Sequence, residues 1–470
     1  MVVGGILRRL FGAPAKSEAE TFEGAAAQRR LAGWMPSGIG PRSQSYGIVS
    51  LRLRARDLYR NNAIARAAVD RLVADLVAGG VGCRPHSALP DRLRARMVTL
   101  WEDWAQDADF DAVTDWYGLQ AAAVRAMIID GEALLVLEQD DTPSGVPLRL
   151  RLIEADHLPI GETTTEDGKR IVDGIELDAL GRRAAYHILR QHPGEASRSS
   201  MDTVRVPAER VAHLFLARRP GQLRGESWLA PVLVRLRNLD EFDDAVLERQ
   251  KLANLFLAFI RKPAPDPVLT TDQDTPPPPP DPIKLEPGTM QELLPGEDVE
   301  FAQPPATEGY EMFAREQLRR IASALGVPYH LISDDYAQIN DRTARVAITA
   351  YRRQVLQWTH SLLVPRLVRP VREAWVRSAV LAGMLPSNRA LADLMRTHYV
   401  PEAWAYIHPV QDVQADALAI KAGLKSRAQV LLERGQDIEE VDAQRAADAE
   451  REQRLGLSSA VQDVPGVADV

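Results

Sequence analysis

The 470-residue sequence has very little cysteine: Cys83 is the only one. A single thiol excludes an internal disulfide and every metal site built from clustered cysteines, and it fits assembly in a reducing cytoplasm. Cys83 stands between Gly82 and Arg84, a setting more typical of a small packed residue than of a nucleophile.

Long apolar runs are also missing. The longest, residues 252–260, contains Asn254. It is about half of the roughly 18 apolar residues that a membrane-spanning helix needs. We therefore expect no membrane contact.

Positive charge does not dominate the chain, which carries 57 Lys and Arg against 65 Asp and Glu, a formal net charge of −8. This balance excludes a protein whose whole surface binds phosphates, so any contact with nucleic acid must be local. The chain is 45% hydrophobic, which is enough for a substantial core, and its length predicts two to four structural units.

The phosphate-binding pattern GxxxxGK[ST] is absent, which argues against a nucleotide-hydrolysing motor. The glycines at 79, 80 and 82 follow a helical pattern rather than a strand, so they predict a helix stop. Asp107, Asp109 and Asp111 imitate the start of a calcium loop. The pattern fails at Ala112 and Gly118, where glycine and glutamate are required.

Other catalytic patterns are incomplete. Ser227 resembles a nucleophile elbow, but Leu229 stands where glycine is required. The nine histidines include no HExxH and no pair with convincing ligand spacing. Asp334 and Asp335 are the strongest candidates for a metal-binding carboxylate pair, although a two-metal nuclease needs further carboxylates beside them. We therefore expect no catalytic residue, no metal and no cofactor.

The first half of the chain has the pattern of an α+β domain. After a Gly-, Ala-, Ser- and Pro-rich arm, apolar periodicity predicts helices over residues 62–77, 91–105 and 117–130. Four alternating or β-branched segments predict strands, at residues 134–139, 148–155, 170–178 and 184–191.

The next strong unit is residues 238–262, which predict one helix about 37 Å long. Acidic residues occupy its first half, and two cations close its end, which suits the helix dipole. These charges are Asp240, Glu241, Asp243, Asp244, Glu248, Arg261 and Lys262. A solvated outer face explains such charges in an ordinary helix; the alternative is a channel or subunit interface.

A proline-rich excursion follows at residues 263–282, with five consecutive prolines from Pro276, and then short strands around Pro-Gly turns. Residues 308–325 predict a helix and residues 334–342 a polar loop without a helix cap. A long helical pattern over residues 343–382 is expected to kink or break at Pro365 and Pro370. Two capped helices are predicted after Ser426 and Asp437.

Several short motifs together resemble the lambda family of tailed-phage portal proteins. They are similar to that family's segments in order and spacing from about residue 50 to 457. The motifs are RDLYRNN at residues 56–62, GGVG at 79–82, Trp101 with Trp104, DGE at 130–132, RGESWLAP at 224–231 and IASALGVP at 321–328. Many members carry Asn-Tyr-Ser-Ser where this chain has Asn340-Asp341-Arg342-Thr343.

The resemblance implies an α+β portal fold with an α/β wing, a long-helix stem, a β-rich clip, a kinked tunnel helix and an α-helical C-terminal crown. The implied boundaries are an arm at 1–50, wing at 51–232 and 346–408, stem helices at 233–262 and 308–332, clip at 263–307, tunnel loop at 333–345 and crown at 409–470. The tunnel-loop residues it implies at the DNA channel are Asp334, Asp335, Tyr336, Gln338, Asn340, Asp341, Arg342 and Arg345.

The implied function is a ring, expected to have twelve copies, at the capsid vertex where DNA enters and leaves. Its implied partners are other copies of the chain, double-stranded DNA without sequence preference, the terminase large subunit, the major capsid protein and a head–tail connector protein. Two alternatives remain open: an enzymatic subunit of the packaging motor, either nuclease or ATPase, and a minor head protein without a channel.

Overall fold

The computed structural model describes residues 38–42, 45–140, 145–195, 202–254, 258–261, 298–301, 309–337, 339–404, 409–436 and 438–456. The N-terminal arm up to residue 37, the proline-rich excursion and most of the predicted clip lie outside these residues. Among the described helices, none is both long and apolar enough to cross a membrane.

Four helices and one strand open the described chain. They are α1 (Ser45–Asn61), α2 (Ala63–Val77), β1 (Gly82–Pro85), α3 (Asp91–Gln106) and α4 (Trp116–Asp130). The prediction of an arm up to residue 50 was wrong at its end, because α1 begins at Ser45. Ile48, Ala55 and Leu58 recur at helical spacing and are buried, so tertiary packing stabilises this helix.

Two antiparallel sheets follow. Their strands are β2 (Glu132–Gln139), β3 (Leu148–Ile153), β4 (Glu162–Thr164), β5 (Arg170–Val172), β6 (Ile175–Leu177), β7 (Arg183–Leu189), β8 (Thr203–Pro207) and β9 (Val211–Phe215). One sheet has the order β3-β2-β9 and the other β4-β5-β6-β7-β8. All four predicted strand segments are present, the third as a hairpin of β5 and β6, whereas β4, β8 and β9 were not predicted.

Strand β2 joins the two hydrophobic cores because both of its faces are covered. Ala133, Leu135 and Leu137 belong to the main core, which includes the helices. Leu134 and Val136 point the other way into a second core, shared with the five-stranded sheet. Side chains alternate across a strand, so an uninterrupted apolar run is what a strand buried on both faces requires.

The second half of the described chain is mainly helical. Its elements are α5 (Leu233–Asn254), β10 (Ala258–Arg261), β11 (Asp298–Phe301), α6 (Tyr310–Leu325), α7 (Tyr329–Ser333), α8 (Asp341–Trp358), a π-helical segment (Thr359–Val368), α9 (Arg369–Leu381), α10 (Leu391–Met395), β12 (Thr397–Val400), α11 (Pro409–Lys421), α12 (Arg427–Glu433) and α13 (Ile438–Leu455). Strand β12 pairs with β1, which brings the chain back to the first domain.

The predicted stem helix over residues 238–262 was wrong at its C-terminal end. Helix α5 ends at Asn254, and residues 258–261 form β10, whose ladder with β11 places Arg261 opposite Asp298. The Ala-Phe-Ile-Arg sequence of β10 suits a strand, and its pairing with a segment distant in sequence overrides the helical pattern.

The long helical pattern after the polar loop begins at Asp341 and continues to Leu381 through the π-helical segment. Pro365 lies inside that segment and Pro370 in the first turn of α9. In place of the predicted kink or break, the helix widens into π-helical turns near the prolines. Such turns accommodate proline, which has no backbone N–H to donate.

Two glycines hold the motifs at residues 130–132 and 224–231 in close contact. Gly131 has φ +96°, and a Cβ added there would lie 2.5 Å from the carbonyl carbon of Glu226. A Cβ on Gly225 would lie 2.1 Å from the carbonyl oxygen of Gly131. In both cases the added Cβ would collide with backbone atoms, which cannot move aside as a flexible side chain can. Neither position therefore has room for alanine.

We predict that Gly225→Ala destabilises the protein by about 2 kcal/mol or more, because two backbone segments must separate. Gly47→Ala is the matched control: it lies in α1 with open space around its Cα, so it should leave the midpoint of urea unfolding unchanged or slightly raised. Equal midpoints for the two variants would contradict this packing.

Candidate functional site: loop, stem helix and buried charge cluster

The polar loop between α7 and α8 is shorter than predicted. The expected loop spanned residues 333–345, but Ser333 ends α7 and Asp341 begins α8, so the connection is residues 334–340. Asn340 caps α8, because its Oδ1 accepts hydrogen bonds from the backbone N–H and the hydroxyl of Thr343, both at 2.8 Å. The prediction of an uncapped segment was therefore wrong.

Asp334 and Asp335 do not converge on one point. Asp334 has φ +50°, and its carboxylate lies 3.6 Å from Nη2 of Arg71 on α2. Asp335 accepts hydrogen bonds from Tyr329 Oη at 3.1 Å and from the Ala337 N–H at 3.2 Å. These hydrogen bonds, the backbone one foremost, lower the pKa of Asp335. The pair therefore shapes the loop, and in the described residues it belongs to no group of three metal ligands.

The other predicted loop residues divide into two sets. Tyr336 is 54% exposed at the loop, and Asn340 is exposed beside it. Asp341, Arg342 and Arg345 lie in the first turns of α8 instead. Gln338 lies outside the described residues.

Two carboxylates of helix α5 contact other helices of the same chain. Asp240 accepts a hydrogen bond from the Asn62 side chain at 2.7 Å, and Asp243 accepts one from Tyr310 Oη at 3.0 Å. The bond to Asp243 raises the pKa of Tyr310. Part of the acidic face therefore holds α5 against α2 and α6.

The remaining charges of the predicted stem set are exposed or lie elsewhere. Glu241 pairs with Arg237 and Glu248 with Lys251 on α5 itself, while Asp244 is exposed. Arg261 lies in β10 rather than at a helix terminus, and Lys262 is outside the described residues. The prediction of one helix with an acidic N-terminal half and a basic C-terminal end was thus wrong.

A buried charge cluster, here Glu132, Arg224, Arg52 and His213, was not predicted. Glu132 is fully buried and accepts hydrogen bonds from Arg224 Nε at 2.8 Å and from Arg52 Nη2 at 3.2 Å. The N–H of Gly225 donates to it at 2.9 Å, and His213 Nε2 lies 3.0 Å away. The sequence motifs contained Glu132 and Arg224, but nothing in their spacing indicated that they pair.

Arg224 extends the cluster to the five-stranded sheet region. Its Nη1 donates to the carbonyl of Asp173 at 3.0 Å and its Nη2 to that of Ala155 at 3.1 Å. A buried guanidinium needs several acceptors, and here they come from three separate segments of the chain. The cluster therefore fixes the positions of both sheets and of α1.

Burial and pairing shift the pKa values of the cluster in opposite ways. Burial alone would raise the pKa of Glu132, but Arg224 and His213 hold it far below its usual range. Burial lowers the pKa of His213 to about 4, because the neighbouring carboxylate offsets only part of the desolvation. At neutral pH, His213 is therefore neutral and Glu132 is ionised.

A second group next to the cluster contains Glu154, Asp156 and His192, whose potential ligand atoms lie within 4.8 Å of one another. Arg56 Nη2 lies 2.9 Å from Glu154 and 2.6 Å from Asp156, and Arg56 also donates to Asp130. The guanidinium occupies the place between the carboxylates, so this group is an ion-pair network rather than a built metal site.

The remaining motif residues have structural roles. Ser227 is buried, and its hydroxyl donates to the carbonyl of Ile128 and accepts from the Leu229 N–H. Asp109 accepts hydrogen bonds from the backbone N–H groups of Asp111, Val113 and Thr114. Ser227 is thus held as a turn residue, and Asp109 shapes its own loop.

Comparison with known proteins gives a consistent result. The model of the family "Phage portal protein, lambda family" matches residues 27–359, more than half of the chain. The "Probable portal protein" of Halomonas phage phiHAP-1 is 24% identical over 425 residues, covering 87% of this chain and 81% of the relative. "Portal protein B" of Escherichia phage lambda is 22% identical over 460 residues, covering 86% and 84%.

The neck of a native gene transfer agent particle, computed with C12 symmetry, is similar with a TM-score of 0.49 and 17% identity. That likeness covers 83% of this chain and 93% of the matched chain.

The depressed pKa of His213 predicts a pH dependence. The unfolded histidine titrates near 6.5, above the folded value of about 4, so the unfolded state binds more protons between these two pH values. The stability that comes from this group is therefore complete above pH 6.5 and is lost as the pH falls towards 4. The slope from one such group cannot exceed about 1.4 kcal/mol per pH unit.

We expect His213→Gln to flatten the fall in unfolding free energy between pH 6.5 and 4.5, measured by urea unfolding at each pH. His360→Gln, at an exposed position, is the control and should keep the parental slope. A parental slope in His213→Gln would show that the buried imidazole does not titrate on unfolding.

Proposed function

Because the chain belongs to the lambda family of phage portal proteins, we propose that its copies form a closed ring of twelve at the portal vertex of the capsid. Double-stranded DNA passes through the ring during packaging and ejection, without sequence preference. The family match over residues 27–359 is the observation that carries this proposal. The ring acts as a conduit and docking platform and performs no catalysis of its own.

The surface of the stem helices supports assembly into a ring. Phe242 of α5 packs against Phe313 of α6, with ring centroids 4.6 Å apart. On the same two helices, Val234, Leu247 and Met312 remain 72%, 53% and 78% exposed. Large apolar side chains exposed on both helices are available to protein partners, and identical subunits in head-to-tail contact close by rotation.

The net negative charge of the ring supports a role in passing DNA rather than in binding it tightly. Twelve copies of formal charge −8 carry −96, and each phosphate held by a fixed cation would add a salt-dependent resistance to sliding. Helix α8 is a local exception, with four arginines and a single carboxylate, Asp341, at its start. We assign the loop at 334–340 and the start of α8, with Arg342 and Arg345, to the channel.

The remaining partners follow from this role. The terminase large subunit docks for packaging, the major capsid protein surrounds the ring, and a head–tail connector protein docks below it. Assembly takes place in the host cytoplasm, and the mature ring resides in the virion. The predicted crown at residues 409–470 and the predicted clip at 263–307 are the proposed docking parts.

Ring formation is tested by electron microscopy of the purified full chain. Class averages should contain closed rings with a central hole, and the same preparation should not hydrolyse ATP or cleave DNA. A monodisperse monomer at micromolar concentration over several salt conditions would contradict the proposal. Hydrolysis or cleavage by the purified chain would instead support an enzymatic subunit.

A charge reversal distinguishes an interface or channel from a solvated face. Asp244→Lys should weaken ring assembly or slow DNA movement, more strongly at low salt where screening is weak. Asp167→Lys, in an exposed turn of the five-stranded sheet, is the control and should assemble normally. If both variants package and eject like the parent, Asp244 lies on a merely solvated surface.

We expect the loop to act on DNA and to be dispensable for assembly. Deleting residues 336–339 removes exposed Tyr336 but keeps both Asp335, which bonds to Tyr329, and the Asn340 cap. Rings should remain intact, whereas assembled heads should retain less genome. Unchanged packaging and retention would exclude the loop from the channel.

A further inference from the structure

Arg372 of α9 is a buried cation without a counterion in the described residues. Its side chain is fully buried, and Nε, Nη1 and Nη2 have no hydrogen-bond partner. The guanidinium lies over two indoles that contact each other edge to face, 4.8 Å from the Trp101 ring centre and 4.5 Å from that of Trp375. Cation–π contacts attract the charge, but they leave the N–H groups at its edge unbonded.

The acidic groups around Arg372 are matched to other arginines. Glu373, the next residue of α9, lies 3.9 Å from Arg369 and 3.7 Å from Arg377. Glu102 of α3 lies 3.3 Å from Arg84. Burial lowers the pKa of Arg372, yet an arginine stays protonated in proteins, so the positive charge remains.

This arrangement departs from the rule for protein interiors. Buried polar groups are almost always hydrogen-bonded, and buried charges are paired. Glu132 with Arg224 and Arg52 follows the rule in this same chain, whereas Arg372 does not. An acceptor for its five N–H groups is therefore required from outside the residues that the structure describes.

A cavity of about 270 Å³ approaches the same place. Cys83 and Trp101 line it, and both are neighbours of Arg372: Trp101 stacks on the guanidinium, and Cys83 interacts with its charge. The charged groups on the cavity wall have partners of their own. Glu402 accepts the Gly79 N–H at 2.6 Å, and Arg434 lies 2.7 Å from Asp416. Arg372 itself does not line the cavity, so its unmatched charge lies behind the cavity wall formed by Cys83 and Trp101.

We propose that a small monovalent anion of halide size binds at the edge of the Arg372 guanidinium, beside Trp101, Trp375 and Cys83. A halide fits the site because it offers acceptor capacity in every direction and matches a single positive charge. Phosphate or a carboxylate ligand would bring a larger volume and further oxygens, whereas the other cation that acts on Cys83 within the described residues, Arg84, already pairs with Glu102. The bound anion holds α9 against α3, where the returning half of the chain meets the first domain.

The experiment is thermal unfolding of the full chain with chloride replacing gluconate from 1 to 300 mM at constant ionic strength. The Tm of the parent should rise by about 2–4 °C and saturate, as expected for a ligand that binds only the folded state. Arg372→Met should lose this rise. Arg377→Met, a half-exposed arginine on the same helix, should keep it.

If Arg372→Met does not fold, the site is tested by crystallography of the parent protein. Crystals soaked in bromide should show an anomalous peak within hydrogen-bond distance of the guanidinium. A parental Tm that is insensitive to chloride, an equal rise in Arg372→Met, or bromide crystals without that peak would each overturn the proposal.

Discussion

The pairing of buried Glu132 with Arg224 is the interaction on which the rest of the described structure depends. A fully buried carboxylate loses several kcal/mol of hydration free energy, so it is tolerated only when its oxygens are fully bonded. Here Arg224, Arg52, His213 and the Gly225 N–H supply those bonds. These donors come from three parts of the chain, since Arg224 and Gly225 are neighbours, so one side chain fixes the relative positions of several elements.

The close backbone contact between Gly131 and Gly225 is required for the same charge pairing. Glu132 can reach Arg224 and the Gly225 N–H only because no Cβ separates the two turns. Strand β2, which begins at Glu132, then carries apolar side chains into both hydrophobic cores. The charge cluster thus aligns the strand, and the strand joins the two cores, the larger of which includes residues of α5 and α8.

The sequence predicted those features that depend on local pattern. The helix at 62–77 has a regular apolar stripe, the strand at 134–139 begins as an apolar run and the strand at 148–155 alternates. These elements and the helices at 91–105 and 117–130 are all present within a few residues. The Ser426 cap is also present, with its hydroxyl accepting from the Gln429 N–H. The family and its function were identified from short motifs because their order extends over most of the chain.

The features that depend on distant contacts were missed. Residues 258–261 continue an apolar run and look helical, but pairing with residues 298–301 makes them a strand. The partners of Asp240 and Asp243, which are Asn62 and Tyr310, lie 178 and 67 residues away, so their carboxylates could be read only as an acidic surface. The side chains that bond to Glu132 are separated from it by 80 residues or more, and no rule of sequence spacing predicts such pairs.

The most direct test of this account is a double-mutant cycle on Glu132→Gln and Arg224→Met, measured by urea unfolding of the full chain at pH 7. Each single variant leaves a buried charge without its main partner and should cost about 3–5 kcal/mol. The double variant should cost no more than the larger single loss, which corresponds to a coupling energy of about 3 kcal/mol or more. Losses that add to within about 0.5 kcal/mol would show that the two residues act independently and would contradict the central role of their pairing.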